Sequence, residues 1–538
     1  MTERTVFLRM RGYCGAMERA YDAIVVGSGF GGGITACRLA EQGWRVCVLE
    51  RGRRFGAGDF PDRLAQFPHA LWHARHNPGG MFDIRIMRDV AVVTGAGVGG
   101  GSLVYANVQL RAPDAIFDDP AWPQAIDGGE LDRYYTRTED ALDPRTTPPH
   151  PPLPKVGAFD RMADNAGRTA LRLPIAVHFG EDRRHPFSGV FQQGCDNLGR
   201  CDVGCPRMSK NTVDITYVAR AETFGAEVFP LHEVHRIDPP QRRGEDWRVG
   251  FRDLQYKTAG EVRAPVLVLA AGTLGTTRLL LRNRKRLPRL SPALGSRYSG
   301  NGDALALALD PTATGVAGAR AEFGPVMTSR IDYLVERGHM VADGGLPASF
   351  QDVLEVLRGV RLLTGLGRLR VATKNAATKV GFSDHALAPG DMRVRRRPPI
   401  GDSLIFLCIG RDAADGQMRL THFGRFDIRW DVGRSRRLFD AMRETVRELG
   451  EAAGATTFFA LDAGPLGKYV TVHPLGGCPM SDDPVAGVVD DAGKVFGFRG
   501  LYVLDGSIVP TAIGVNPSKT IAALAERGVE HLIAERAR

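Results

Sequence analysis

Between Tyr21 and Glu50 the chain runs through AIVV, then Gly27-Ser28-Gly29-Phe30-Gly31-Gly32, then GITACRLAEQG, then RVCVLE. A short apolar run, a GxGxxG turn, a segment of helical spacing and a second apolar run predict a βαβ unit. Each glycine has a reason: Gly27 makes the tight turn, Gly29 lets backbone approach a diphosphate, and Gly32 lets the helix pack on the strand. Phe30 opens the helix, whose first amides and dipole then face the phosphates. Glu50 ends the second strand, about 20 residues on, where a carboxylate accepts from ribose hydroxyls. An ordinary glycine-rich turn needs only the glycines, whereas here strand, helix and acid stand in register. The unit predicts a Rossmann-like dinucleotide-binding domain, although the turn alone does not separate a nicotinamide from a flavin.

With 538 residues the chain exceeds one ordinary core, and its motifs recur at the start, middle and end. The Pro-rich RTTPPHPPLP at 145–154 breaks any helix or central strand. An α/β fold (α+β overall) is expected, woven from discontinuous pieces. Residues 17–112, 187–300 and 462–538 form the nucleotide domain, and 113–186 and 301–461 form a sheet-plus-helix substrate domain. Residues 1–16 read as a disordered extension or a matter of start-site choice. Lys and Arg, 70 in all, are largely balanced by 61 Asp and Glu. With no nucleic-acid motif, the net charge of +9 reads as a solvated basic surface rather than a nucleic-acid site. No apolar run is long enough to span a bilayer, and the N-terminus has no secretory pattern. Cys37, Cys47, Cys408 and Cys478 sit where buried free thiols are expected, which suits a cytoplasmic protein.

VLVLAAGTLGTTRLL at 266–280 resembles the strand–turn–helix ATG motif of flavoproteins, and GLYVLDGSIVPTAIGVNPSKT places Asp505-Gly506 and Asn516-Pro517 before a terminal helix. Together with GAGVGGGSLVYANVQLR at 95–111 and VTVHPLGGCPM around His473, these segments resemble the glucose–methanol–choline oxidoreductases, in particular their cholesterol-oxidase-like branch. The resemblance runs from Tyr21 to Ile533 and implies FAD as cofactor. It assigns Gly99, Gly100, Gly101, Ser102 and Asn107 to the loop over the flavin. It assigns Val234 to the adenine, Asp505 and Gly506 to the ribityl or pyrophosphate region, and the terminal helix start to the pyrimidine ring. His473 and Asn516 match the family's catalytic pair. A His near neutrality can take the hydroxyl proton of an alcohol, and an Asn can hold an oxygen without titrating. The implied reaction oxidises a sterol-like or other hydrophobic alcohol to a carbonyl, with dioxygen or another acceptor taking the electrons. A redox-neutral lyase or isomerase, or a lipid-binding flavoprotein without turnover, is the alternative.

Two departures from the family stand out. Where related sequences read Glu-Asp-Gly-Gly, HMVADGGLP at 339–347 places Ala342 at the Glu position. Asp343 is either a substitute acid or a turn residue before two glycines. Cys195, Cys201 and Cys205 are fewer than the four ligands an iron–sulfur or structural zinc site takes, so no metal is expected. A disulfide or three buried thiols are the other readings. Residues 349–372 and the basic RVRRRPP at 393–399 read either as surface packing or as a peripheral membrane contact.

Overall fold

The computed structural model describes residues 20–62, 66–242, 244–348, 402–459 and 469–537. The expectations for residues 1–16, 349–372 and 393–399 lie outside these.

A five-stranded parallel sheet runs in the order Leu501–Val503, Val266–Leu269, Ala23–Val26, Val46–Leu49 and Glu227–Phe229. Its central strands are apolar at every position, as a parallel sheet covered on both faces requires. Alternate residues serve two cores. Ile24, Val26, Leu267 and Leu269 pack with Ile237, Trp247 and Val249 of an antiparallel meander. Ala23, Val25, Val266 and Val268 pack with Ile34, Ala36, Ala522 and Ala525 of helices Phe30–Glu41 and Ser518–Ala537.

The N-terminus of helix Phe30–Glu41 lies so close to the sheet that a Cβ on Gly31 would sit 1.5 Å from the Leu504 carbonyl oxygen, and one on Gly32 would sit 2.0 Å from that of Gly27. Both obstacles are backbone. Gly31→Ala is therefore expected to leave little folded protein, measured as soluble yield and far-UV circular dichroism. Gly157→Ala is the control. Gly157 sits in helix Pro154–Asn165 with nothing within 4 Å of the added carbon, so it should gain up to about 1 kcal/mol.

A second, six-stranded antiparallel sheet has the order Thr456–Phe459, Ala304–Leu309, Leu404–Gly410, His339–Gly344, Ser329–Tyr333 and Leu171–Arg172. Helices Pro154–Asn165 and Arg436–Ala453 cover one face. The longer helix buries Leu438, Phe439, Met442, Val446, Leu449 and Ala453 at helical spacing and ends on Gly454 at φ +61°. Between the two sheets, strand Tyr469–Thr471 pairs in parallel with Val90–Gly95, which pairs with Phe82–Ile86.

Candidate active site

The two glycine loops meet. Gly27, at φ +97°, faces the Ala270 carbonyl, so no side chain fits there. Gly29 has no atom nearer its absent Cβ than Gly100 Cα at 3.7 Å, leaving an open approach to the helix start. No side chain caps that helix, so its first amides are available to a ligand. Phe30 packs edge-on against Tyr105. Ser28 joins the loops: its hydroxyl donates to Glu50 at 2.8 Å and accepts from the Gly99 amide at 3.2 Å. Glu50 also accepts from the amides of Ser28 and Gly52, at 3.1 and 2.9 Å, and burial raises its pKa.

In the second loop Gly99 takes φ +103° with Asp214 beside it, and Gly100 backs onto Gly29. The Ser102 hydroxyl donates to the Gly99 carbonyl at 2.7 Å and accepts from the Val213 amide at 2.9 Å, while Gly101 faces outward. Asn107 is fully buried at φ +67°, with its side-chain amide beside the Cys201 thiol and no nitrogen or oxygen partner for either of its polar atoms. Gln109 Nε2 and Asn516 Oδ1 are also buried and unpartnered. Polar atoms of this kind are ones that a bound ligand can satisfy. Val234 lies within strand His232–Asp238, opposite Phe251, and the His232 amide of that strand donates to the Glu50 carbonyl at 2.7 Å.

Asp505 is spent within the protein. Its carboxylate accepts from the amides of Gly272 and Ser507, each at 2.9 Å, and from the Thr276 and Ser507 hydroxyls. Burial raises its pKa, and it pins the ATG-like turn to the end of strand Leu501–Val503. The Gly506 carbonyl accepts from Gly476, next to the His473 loop, and the Pro517 carbonyl accepts from Ile521 in the first turn of the terminal helix.

One five-residue turn, Ser299–Asp303, contacts the surroundings of both His473 and Asn516. Asn301 accepts from the amides of Ile513 and Gly514 at 2.9 and 3.0 Å and donates to the Val515 carbonyl at 2.8 Å, fixing the approach to Asn516. Asp303 accepts from His473 Nδ1 at 2.7 Å. Beneath the turn, Asp412 accepts from the amides of Gly300 and Gly302, each at 3.0 Å, and burial pushes its carboxyl up to about 6. Sequence reading missed all three. The only signal was an Asn and an Asp inside a glycine turn, SGNGD.

Asp343 is not brought to this site. It lies within strand His339–Gly344 rather than in a turn, on the face shared with Val341 and Phe406 beneath the helices. Its carboxylate accepts from the amides of Thr328 and Ser329 at 2.6 and 2.7 Å and from the Thr328 hydroxyl, and it pairs with Lys155 at 3.5 Å. Met340 and Ala342 take the other face, with Leu407 and Ile409, so no acid of this strand turns that way. Cys195, Cys201 and Cys205 line one small cavity with Lys210, and all are free thiols. Burial pushes Cys195 up to about 12 and Lys210 down to about 8, and the Lys210 ammonium donates to the Leu103 carbonyl at 3.0 Å. Among the described residues no three His, Cys, Asp or Glu side chains are placed to hold a metal ion.

The models of the N- and C-terminal domains of the GMC oxidoreductases match residues 21–283 and 412–525. The chain belongs to the GMC oxidoreductase family. It is 31% identical to a cholesterol oxidase of Mycobacterium tuberculosis, over 95% of this chain and 91% of that one. A cholesterol oxidase of Acinetobacter baumannii is 29% identical, over 96% and 95%. A long-chain-alcohol oxidase of Arabidopsis thaliana is 24% identical, over 94% and 66%. The fold is shared with pyridoxine 4-oxidase from Mesorbium loti (TM-score 0.58, 16% identity, covering 95% and 99%). It is shared equally with a fungal aryl-alcohol oxidase (TM-score 0.60, 16% identity, covering 97% and 100%). As a GMC oxidoreductase the chain is an FAD-dependent flavoprotein acting on alcohols. The open approach at Gly29, the uncapped helix and the unpartnered Oδ1 of Asn516 fit that cofactor. Among the described residues no helix is long and apolar enough to cross a membrane.

Proposed function

We propose that this GMC oxidoreductase oxidises the CH–OH group of a hydrophobic, sterol-like alcohol to a carbonyl, with His473 as proton acceptor. The observation that carries the reading is the His473–Asp303 contact. It occupies Nδ1 and leaves Nε2 without a partner among the described residues. Nε2 then takes the hydroxyl proton, while Asn516 orients the substrate oxygen. The Gly27–Gly32 turn and the Gly99–Asn107 loop would hold FAD, which would supply the acceptor for the hydride of the carbinol carbon. Both turns are anchored by backbone packing, so the reacting groups are positioned before substrate arrives. Support for an apolar substrate comes from the names of the relatives. Dioxygen is the proposed electron acceptor, and the proposed location is cytoplasmic.

Anaerobic addition of a panel of alcohols should bleach the flavin absorbance with sterols and long-chain alcohols, and admitting air should restore it. Recovery only with an artificial acceptor would make the enzyme a dehydrogenase. If no alcohol bleaches the flavin, the redox reading fails, and a redox-neutral or lipid-binding role takes its place. With Ala342 at the Glu position and Asp343 turned away, a sterol product should lack the conjugated-enone absorbance that a following double-bond shift would create. Appearance of that band during turnover would show that another group performs the shift.

A further inference from the structure

The carboxylate of Asp303 is 3% exposed and has an asymmetric set of partners. Oδ1 accepts from His473 Nδ1 at 2.7 Å. Oδ2 accepts from the Thr471 hydroxyl at 2.8 Å and from the backbone amides of Val472 and His473 at 2.9 and 3.1 Å. Backbone amides can only donate, so the Oδ2 side is fixed as an acceptor. With Oδ2 committed to three donors, Oδ1 is the atom left to accept a proton carried on Nδ1 of the imidazole.

We propose that Asp303 is the positioning residue that sets the tautomer of His473, keeping the proton on Nδ1 so that Nε2 presents a lone pair to the substrate hydroxyl. The inference rests on the reading of His473 as proton acceptor, but its first consequence is independent of turnover. An imidazole with the proton on Nε2 would offer a donor where the reaction needs an acceptor. The other titratable groups near the carboxylate are Asp412, Tyr298 and Tyr469. Both phenols are pushed well above their ordinary value by burial, so they remain protonated and do not compete for the role.

Asp303→Asn is the informative variant because an amide cannot serve both sides. Its oxygen must turn to the Val472 and His473 amides, which places NH2 against Nδ1 and moves the imidazole proton to Nε2. The expected result is a loss of about 10²–10⁴-fold in the flavin-reduction rate at saturating alcohol, with KM changed only a few-fold. Nitrogen chemical shifts of protein labelled with 15N-histidine, assigned by comparison with His473→Asn, should report Nδ1–H in the wild type and Nε2–H in Asp303→Asn. A wild-type Nε2–H signal overturns the proposal without any variant having to fold. A wild-type rate in Asp303→Asn also overturns it. If His473→Asn itself retains the rate, the reading of His473 fails whatever the tautomer.

Discussion

Replacing His473 by Asn should slow flavin reduction by a saturating alcohol about 10²–10⁴-fold, the usual worth of a positioned general base. Bound FAD and the unfolding midpoint should stay at wild-type values. The expectation of an intact fold comes from the contacts that survive. Asp303 keeps the Thr471 hydroxyl and the backbone amides of Val472 and residue 473, so its charge is not stranded. The side chain at 473 is 16% exposed, and Asn fills part of the space that it leaves. Each tenfold of rate corresponds to about 1.4 kcal/mol of transition-state stabilisation, so the predicted range is a chemical effect far larger than any packing loss at this site. Stopped-flow absorbance at the flavin band, with substrate varied to saturation, separates the rate from KM. A rate within tenfold of wild type at full FAD content would remove His473 from the proton transfer.

What could be read from the sequence was set by how local the signal is. The Ala23–Val26 and Val46–Leu49 strands and the intervening helix are dictated by apolar runs and glycines within 30 residues, and they form as expected. The identity of Glu50 was legible, but its partners were not. The carboxylate that should face a ribose also ties Ser28 and Gly52 into the turn. Asp303 was illegible because its partner stands 170 residues away and nothing local marks an acid in a glycine turn as special. Asp343, open in the sequence between a substitute acid and a turn residue, was hard to place for a different reason. Side chains alternate across a strand, so one position of register decides whether an acid faces the helices or the other layer. Here Asp343 faces the helices, and Ala342 takes the other face.

That parity gives Asp343 a structural consequence. Asp343→Ala should lower the stability of the loaded protein by about 3–5 kcal/mol, because it strands the Lys155 ammonium in an interior where its side chain is 2% exposed. Lys155 keeps the carbonyls of Pro325 and Val326, but their dipoles do not replace a full negative charge. The amides of Thr328 and Ser329 also lose their acceptor, which adds to the cost. Asp343→Asn should be milder, since its amide oxygen still serves those two donors, while the ion pair and the acceptor of the Thr328 hydroxyl are lost. Urea unfolding followed by flavin fluorescence gives the order wild type, then Asn, then Ala. Flavin reduction per bound FAD should be within a few-fold of wild type in both variants, measured well below the unfolding transition. The opposite pattern, wild-type unfolding with flavin reduction abolished, would put Asp343 in the chemistry and require the strand to present it to the flavin side.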